Sequence, residues 1–460
     1  MLLAIAAPAW AAADRSSAVA DVVKTNVTLA QAAASAGSPA DAAAMVRRAA
    51  SAKLGKLTDG EVVVALLALS DRSGQDDRLA DALHLGEHAL SITRTSALGP
   101  ALEFDSLTRT GSAHYMLDDY DTAARDLDAA RKAAARIEPF DANSVANATA
   151  NYAVTLDEAG RYREAQTALH DAIALRARAA EQRPVSIAVA WLALAAVNKR
   201  LGRTDLSEEN YRTGLALLEK AGKTAEPTYG LALHNYGVLT GETGRDAEAA
   251  ALYRRAIELA PADRKYAPSM VNNYTSLAAA WMALGRLDDA GRAVTDAERA
   301  AAAKPKPDTQ TINILSARAQ LSGRRDDRAA AERDADAAVV LARRAVAPTS
   351  IRLADGLITL SDALLRNGKP VPARVAADEA VAIGASLPDR TAIKAIAYDT
   401  RAATLVAGDP VAALADSRTA AEIQARRFAE EGSRTPAPLQ PEERGIVTRR
   451  IALLWEVSRR

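Results

Sequence analysis

A small residue returns at near-constant intervals along this 460-residue chain, at Ala42, Ala82, Ala123, Ala165, Ser207, Ala249, Ala290, Ala331, Ala373 and Ala413, in steps of 40 to 42. A fixed period in this range marks a solenoid of repeated supersecondary units, each resting on its neighbours. Two further columns keep the phase. Seven residues after each anchor come Ala49, Ala89, Ala130, Ala172, Gly214, Ala256, Ala297, Ala338, Ala380 and Ala420. Twelve before come Ala30, Ser70, Gly111, Ala153, Ala195, Gly237, Ala278, Ala319, Ser361 and Arg401, the last being the one large residue in the three columns. Small side chains at fixed places are what two closely approaching helix backbones need.

The turn lies five residues before each anchor. Gly37, Gly160, Gly202, Gly244, Gly285, Gly368 and Gly408 stand there, with Asp77, Asp118 and Asp326 in the remaining repeats. Gly, and less often Asp, accepts the left-handed backbone that ends one helix and lets the next begin at once. Each unit therefore reads as helix, tight turn, helix. Larger residues four positions after the anchors (Val46, Leu127, Leu169, Tyr211, Tyr253, Val294) fill the space beside the small columns.

Segments such as NYAVTLDEAGRYREAQTALHDAIAL, from Asn151, and HNYGVLTGETGRDAEAAALYRRAIELA, from His234, resemble tetratricopeptide repeats: a small residue in the first helix, Gly at the turn, then Ala, a large residue and Ala in the second. The period is longer than the family's usual 34 residues and is similar to the variant of kinesin light chains and many bacterial scaffold proteins. The resemblance, over about residues 18 to 428, implies an all-α, right-handed superhelical solenoid of about ten helix pairs that binds proteins and performs no catalysis. It names no ligand, because the motif is structural.

Composition fits thin helix contacts: 49% of residues are hydrophobic but only 4% aromatic. Lys plus Arg equals Asp plus Glu at 58 each, so no long-range field favours nucleic acid. With no cysteine, disulfides, thiolate metal sites, a cysteine nucleophile and a lipid-modified N-terminal Cys are all excluded.

The ends differ from the middle. Residues 1–13, MLLAIAAPAWAAA, form an apolar stretch too short to span a bilayer, with A-x-A patterns that suit a signal peptidase but no basic residue in front. It reads either as a signal peptide, placing the chain in a bacterial periplasm, or as a greasy first helix of a cytoplasmic protein. The solenoid then occupies residues 14–430, a Pro-rich linker 431–443, and an amphipathic helix with Ile451, Leu453, Leu454 and Trp455 residues 444–460. That last helix is expected to cap the final repeat or to dock on a partner.

The segment HLGEH, His84 to His88, matches the H-x-x-E-H pattern of inverzincins, with Glu87 as base and Glu158 or Glu164 as further ligands. It falls two to six positions after an anchor, where other repeats carry mostly polar residues, so an exposed helix ridge is expected instead of a zinc hydrolase. His114, His170 and His234 show no triad or metal spacing, and the TGETGR segment from Thr240 follows a helix, as a C-cap does and a phosphate loop does not. No metal or cofactor is expected.

In tetratricopeptide superhelices the first helix lines the concave side. By that resemblance, Arg109, Asn147, Asn151, Val154, Leu192, Leu231, His234, Asn235, Val238, Asn272 and Asn313 face a groove. Asn151 and Asn235 occupy equivalent positions two repeats apart. An Asn can bond an extended peptide backbone through both donor and acceptor, or it can bond a neighbouring helix. The lysines that clamp a peptide carboxylate in heat-shock-protein co-chaperones of this family are missing. The expected function is a scaffold or adaptor for a protein or extended peptide segment, with a regulatory module of a cytoplasmic signalling system as the alternative.

Overall fold

The computed structural model describes residues 15–24, 26–179, 181, 183–260, 267–302, 309–386 and 392–431. The apolar segment 1–13, the linker beyond Glu431 and the amphipathic helix 444–460 lie outside them. Among the described residues every regular element is an α-helix, and no helix is long and apolar enough to cross a membrane.

The chain divides into two units, residues Met1–Arg200 and Leu201–Arg460. The first holds α1 (Arg15–Val23), α2 (Val27–Ala34), α3 (Pro39–Leu54), α4 (Asp59–Gln75), α5 (Leu79–Thr95), α6 (Pro100–Met116), α7 (Tyr120–Ala134), α8 (Ala142–Glu158), α9 (Tyr162–Arg178) and α10 (Pro184–Arg200). The second holds α11 (Thr204–Lys220), α12 (Pro227–Glu242), α13 (Asp246–Glu258), α14 (Ala267–Ala283), α15 (Leu287–Ala301), α16 (Thr309–Arg324), α17 (Arg328–Ala345), α18 (Ile351–Arg366), α19 (Pro370–Ala385), α20 (Ala392–Leu405) and α21 (Pro410–Glu431). Within each unit consecutive helices from α2 onward pack on one another, first helix on second and second on the next first, while α1 packs on α3 and α4.

The turns follow from backbone chemistry. Asp77, Asp118 and Asp326 take φ of 61°, 62° and 59°, and Gly160, Gly202, Gly244, Gly285 and Gly368 take 71–76°. At seven turns the next N–H reaches back five residues (Arg78 to Ser73, Asp119 to His114, Arg161 to Leu156, Arg245 to Thr240, Arg286 to Trp281, Asp327 to Ser322, Lys369 to Leu364) at 2.8–3.0 Å. This bond satisfies a carbonyl that the ended helix leaves open. The second helix then starts on an Arg in several repeats, and an acid three residues on pairs with it, as in Arg161–Glu164 and Arg245–Glu248. Such an acid also suits the positive end of the helix dipole.

All ten anchors are buried, as are nine residues in each of the other two columns. The two misses sit at the chain's ends. Ala49 is exposed and its neighbour Ala50 is fully buried, so this one column is shifted by a residue in the first repeat, where Ala30 and Ala42 stay in register. Arg401 is half-exposed and its neighbour Ala402 fully buried. There the turn is built differently: Asp409 N–H bonds Leu405 O at 2.8 Å, one residue shorter than the other turns. Arg401 instead grips Asp416 with two bonds of 2.7 Å, as Arg318 grips Asp334 two repeats earlier at 2.6 and 3.0 Å.

The serines of the small columns show how closely the backbones approach. Ser70 donates to Ala82 O at 2.7 Å and Ser361 to Ala373 O at 2.8 Å, each from a first helix to the anchor of the second. In two repeats the large residue comes so close to the column that only Gly fits. A Cβ on Gly111 would stand 2.8 Å from Leu127 Cγ, and one on Gly237 2.7 Å from the Tyr253 ring. Leu66, Leu69, Leu85, Leu127, Leu156 and Leu169 are all buried at 1% exposure or less. Each contributes about 1.5–3 kcal/mol of burial, spread along the stack instead of gathered in one core.

Candidate partner-binding groove

In the second unit, the first helix α12 turns Leu231, His234, Asn235 and Val238 to one face. Leu231 is 41% exposed and the other three are half-buried. Leu231 and His234 meet Asn272 and Asn273 of α14 around a cavity of about 80 Å³, with Ala256, Leu259 and Ala260 closing it from the second-helix side. His234 Nδ1 donates to Asn273 Oδ1 at 2.8 Å, and its ring lies tilted on Tyr253 with centroids 5.5 Å apart. Asn273 is buried, so the imidazole is held by a partner that cannot swing away.

A polar row continues from this cavity. Asn313 of α16 donates to Asn272 Oδ1 at 3.3 Å, joining two successive first helices by equivalent side chains. The next residue of the row is Asp355 on α18, half-buried, whose carboxyl burial pushes up to about 6. On the same helices and on α20 lies a wider depression of about 570 Å³ that takes in Gln320, Arg324, Asp362, Arg366, Asp399 and Thr400. Arg366 bonds Asp362 at 2.9 Å, so acid and base alternate along it. Gln320 and Asp362 sit eleven positions before their anchors, as Val154 and Val238 do, and Asp399 fourteen before, as Asn151 and Asn235 do, whereas Arg324 and Arg366 sit seven before, where no groove residue was expected.

The first unit presents its candidates differently. Arg109 is 18% exposed and bridges helices, bonding Asp71 of α4 at 3.2 Å twice and Asp105 of its own helix at 3.3 Å. Burial opposes its charge, the two carboxylates outweigh burial, and its pKa is raised. Asn147 and Val154 are half-buried on α8, but Asn151 is 3% exposed and Leu192 of α10 is 8%. Neither of the last two lines an open groove, because neighbouring helices cover them. Asn147 Oδ1 accepts from Arg176 Nη2 at 2.7 Å. Arg176 itself went unnoticed in the sequence, although it is the one arginine among the residues eleven positions after the anchors.

The HLGEH segment is only partly a ridge. His84 is exposed, while His88 is half-buried, and burial followed by the His84 charge lowers its pKa. Among the described residues no group of three His, Asp or Glu side chains could hold a metal ion, and Glu164 is engaged with Arg161.

A family model described as tetratricopeptide repeat matches residues 186–262. RapI in its apo form shares the fold with a TM-score of 0.58, at 10% identity, over 80% of this chain and 97% of its own. Aspartyl phosphate phosphatase F from Bacillus subtilis gives 0.54 at 13% identity, over 84% and 97%. The apo quorum sensor NprR from B. thuringiensis gives 0.54 at 11%, over 80% and 98%. No curated protein matches the chain in sequence. With its helix pairs, its left-handed turns and its small columns, the chain carries tetratricopeptide repeats.

Proposed function

We propose that this chain is a non-enzymatic adaptor that holds an extended segment of a protein partner against the exposed faces of its first helices, and that it works in a bacterial cell envelope. The row from His234 through Asn272 to Asn313 carries the reading. It offers donors and acceptors at helix-to-helix spacing beside apolar Leu231 and Leu259, which is how a peptide backbone is held with little demand on its sequence. The envelope assignment is supported by the apolar segment 1–13 with its A-x-A pattern.

Photo-crosslinking tests the first part. A crosslinker placed at Leu231 or Gln320 should trap the partner, whereas one at Val375, which is 63% exposed on second helix α19, should not. Equal trapping from all three positions would remove the groove. For the second part, fractionation of the source cells should place the protein in the envelope, without residues up to Ala11 or Ala13. An intact Met1 in cytosolic protein would favour a second reading, a regulatory module of a signalling system. That reading draws on the names of two fold neighbours, a quorum sensor and an aspartyl phosphate phosphatase.

A further inference from the structure

Arg176, in the last turn of α9, is 1% exposed, yet no carboxylate among the described residues answers it. Its Nη2 donates to Asn147 Oδ1 at 2.7 Å, while Nε and Nη1 have no partner. Burial alone lowers its pKa, to about 10. A buried cation with two unmet donors is costly to a fold. The fold does not ask for it either. Eleven positions after other anchors stand Thr93, Ala134, Leu218 and Ala342, all buried and uncharged.

The equivalent positions around α12 and α13 show what kind of place Arg176 occupies in its own repeat. Ala260 and Leu231 hold the positions of Arg176 and Asn147 in their repeat, and both line the cavity beside His234. By this equivalence Arg176 lies, within its own unit, where a first-helix face meets a second-helix end, and half-buried Asn147 is its cover. Two unmet guanidinium donors suit the two oxygens of a carboxylate.

We propose that Arg176 anchors a carboxylate of the partner segment, which displaces the Asn147 side chain and takes its place on the guanidinium. This rests on the groove reading above. The carboxylate can come from an acidic side chain or from the segment's C-terminus, since both present the same two oxygens.

Calorimetric titration of the full chain with four probes tests it. They are an acetylated and amidated Ala-Ala-Glu-Ala-Ala peptide, the same peptide with Gln for Glu, acetylated pentaalanine with a free C-terminus, and sodium acetate at constant ionic strength. The Glu peptide or the free-C-terminus peptide should bind about tenfold or more tightly than the Gln peptide, the winner identifying the source. Arg176→Met should erase that preference. Asn147→Asp, which supplies an internal carboxylate, should erase it too and should raise the melting temperature. A preference that survives Arg176→Met overturns the proposal, as does its absence from the wild-type protein. If the Gln peptide binds as well as the others, the groove stands and the anchor falls. If no peptide binds but acetate raises the melting temperature of the wild type and not of Arg176→Met, the anchor stands and the extended segment falls.

Discussion

Two equivalent helix pairs carry opposite contents at the same positions. On α12 and just beyond the end of α13, Leu231 and Ala260 border a cavity of about 80 Å³ shared with His234 and Asn272. In α8 and α9, Asn147 and Arg176 stand there instead and meet at 2.7 Å. The contrast extends along the helix: Asn151 and Asn235 are 84 residues apart and in register, yet one is 3% exposed and the other half-exposed. The repeat dictates the direction in which a side chain leaves its helix. Whether solvent or a partner can reach it depends on what the adjacent helix places opposite.

The largest effect is expected where α8 and α12 differ in backbone approach. Twelve positions before the anchor α8 has Ala153 and α12 has Gly237, and a Cβ on Gly237 would stand 2.7 Å from Cε1 of the buried Tyr253 ring. That ring also supports His234. Gly237→Ala should therefore cost about 1–3 kcal/mol by overpacking, whereas Ala153→Gly costs about 1 kcal/mol through backbone freedom alone. Calorimetric melting compares them directly. A Gly237→Ala protein that melts like the wild type would show that the two approaches are alike.

Next comes Asp355, the acidic end of a row whose counterpart in α8 is neutral Asn147. Its folded pKa of about 6 stands above the ordinary 3.8, so between those values the native state holds the proton more tightly than the unfolded chain. The stability this confers is full below pH 4 and is lost as pH rises through 6. Asp355→Asn should accordingly raise stability at pH 7.5 by about 1–2 kcal/mol, a discount on the roughly 3 kcal/mol ceiling because the group is partly solvated. At pH 4 it should change little. Denaturant midpoints at the two pH values supply the test, and an equal effect at both would show that the carboxylate is not desolvated.

Local chemistry is what the sequence made legible. Asp77, Asp118 and Asp326 could be read as left-handed turn residues because that preference belongs to the residue and its backbone. The anchors could be read because small residues recur where two helices of one repeat touch. Register slipped at Arg401 where the turn itself is one residue shorter, since such a difference in a loop leaves no mark on composition, and at Ala49 within the helix of its own anchor. The site was less visible. The depression around Gln320 and Asp362 depends on how successive first helices sit side by side, and the burial of Asn151 depends on neighbours outside its own helix. Arg176 did leave a signal, an arginine in a column that is otherwise uncharged after the exposed Lys53 of the first repeat, which becomes readable once most of that column is known to be buried.

The smallest effect on stability separates the two asparagines most sharply. Asn235 is half-exposed, so Asn235→Ala should shift stability by no more than about 0.5 kcal/mol. If it bonds a partner's backbone, capture should weaken about twofold to tenfold, the equivalent of one net hydrogen bond. Asn151→Ala should do the reverse. Its side chain is buried with Oδ1 unpartnered, so truncation removes both packing and an unmet acceptor, for a net change of about 1 kcal/mol with partner affinity unaltered. Partner titrations and melting curves on the two single variants, run side by side, decide the matter. Weakened capture in Asn151→Ala at unchanged stability would mean that the covering helices part to admit the ligand, and would erase the distinction between the closed face of α8 and the open face of α12.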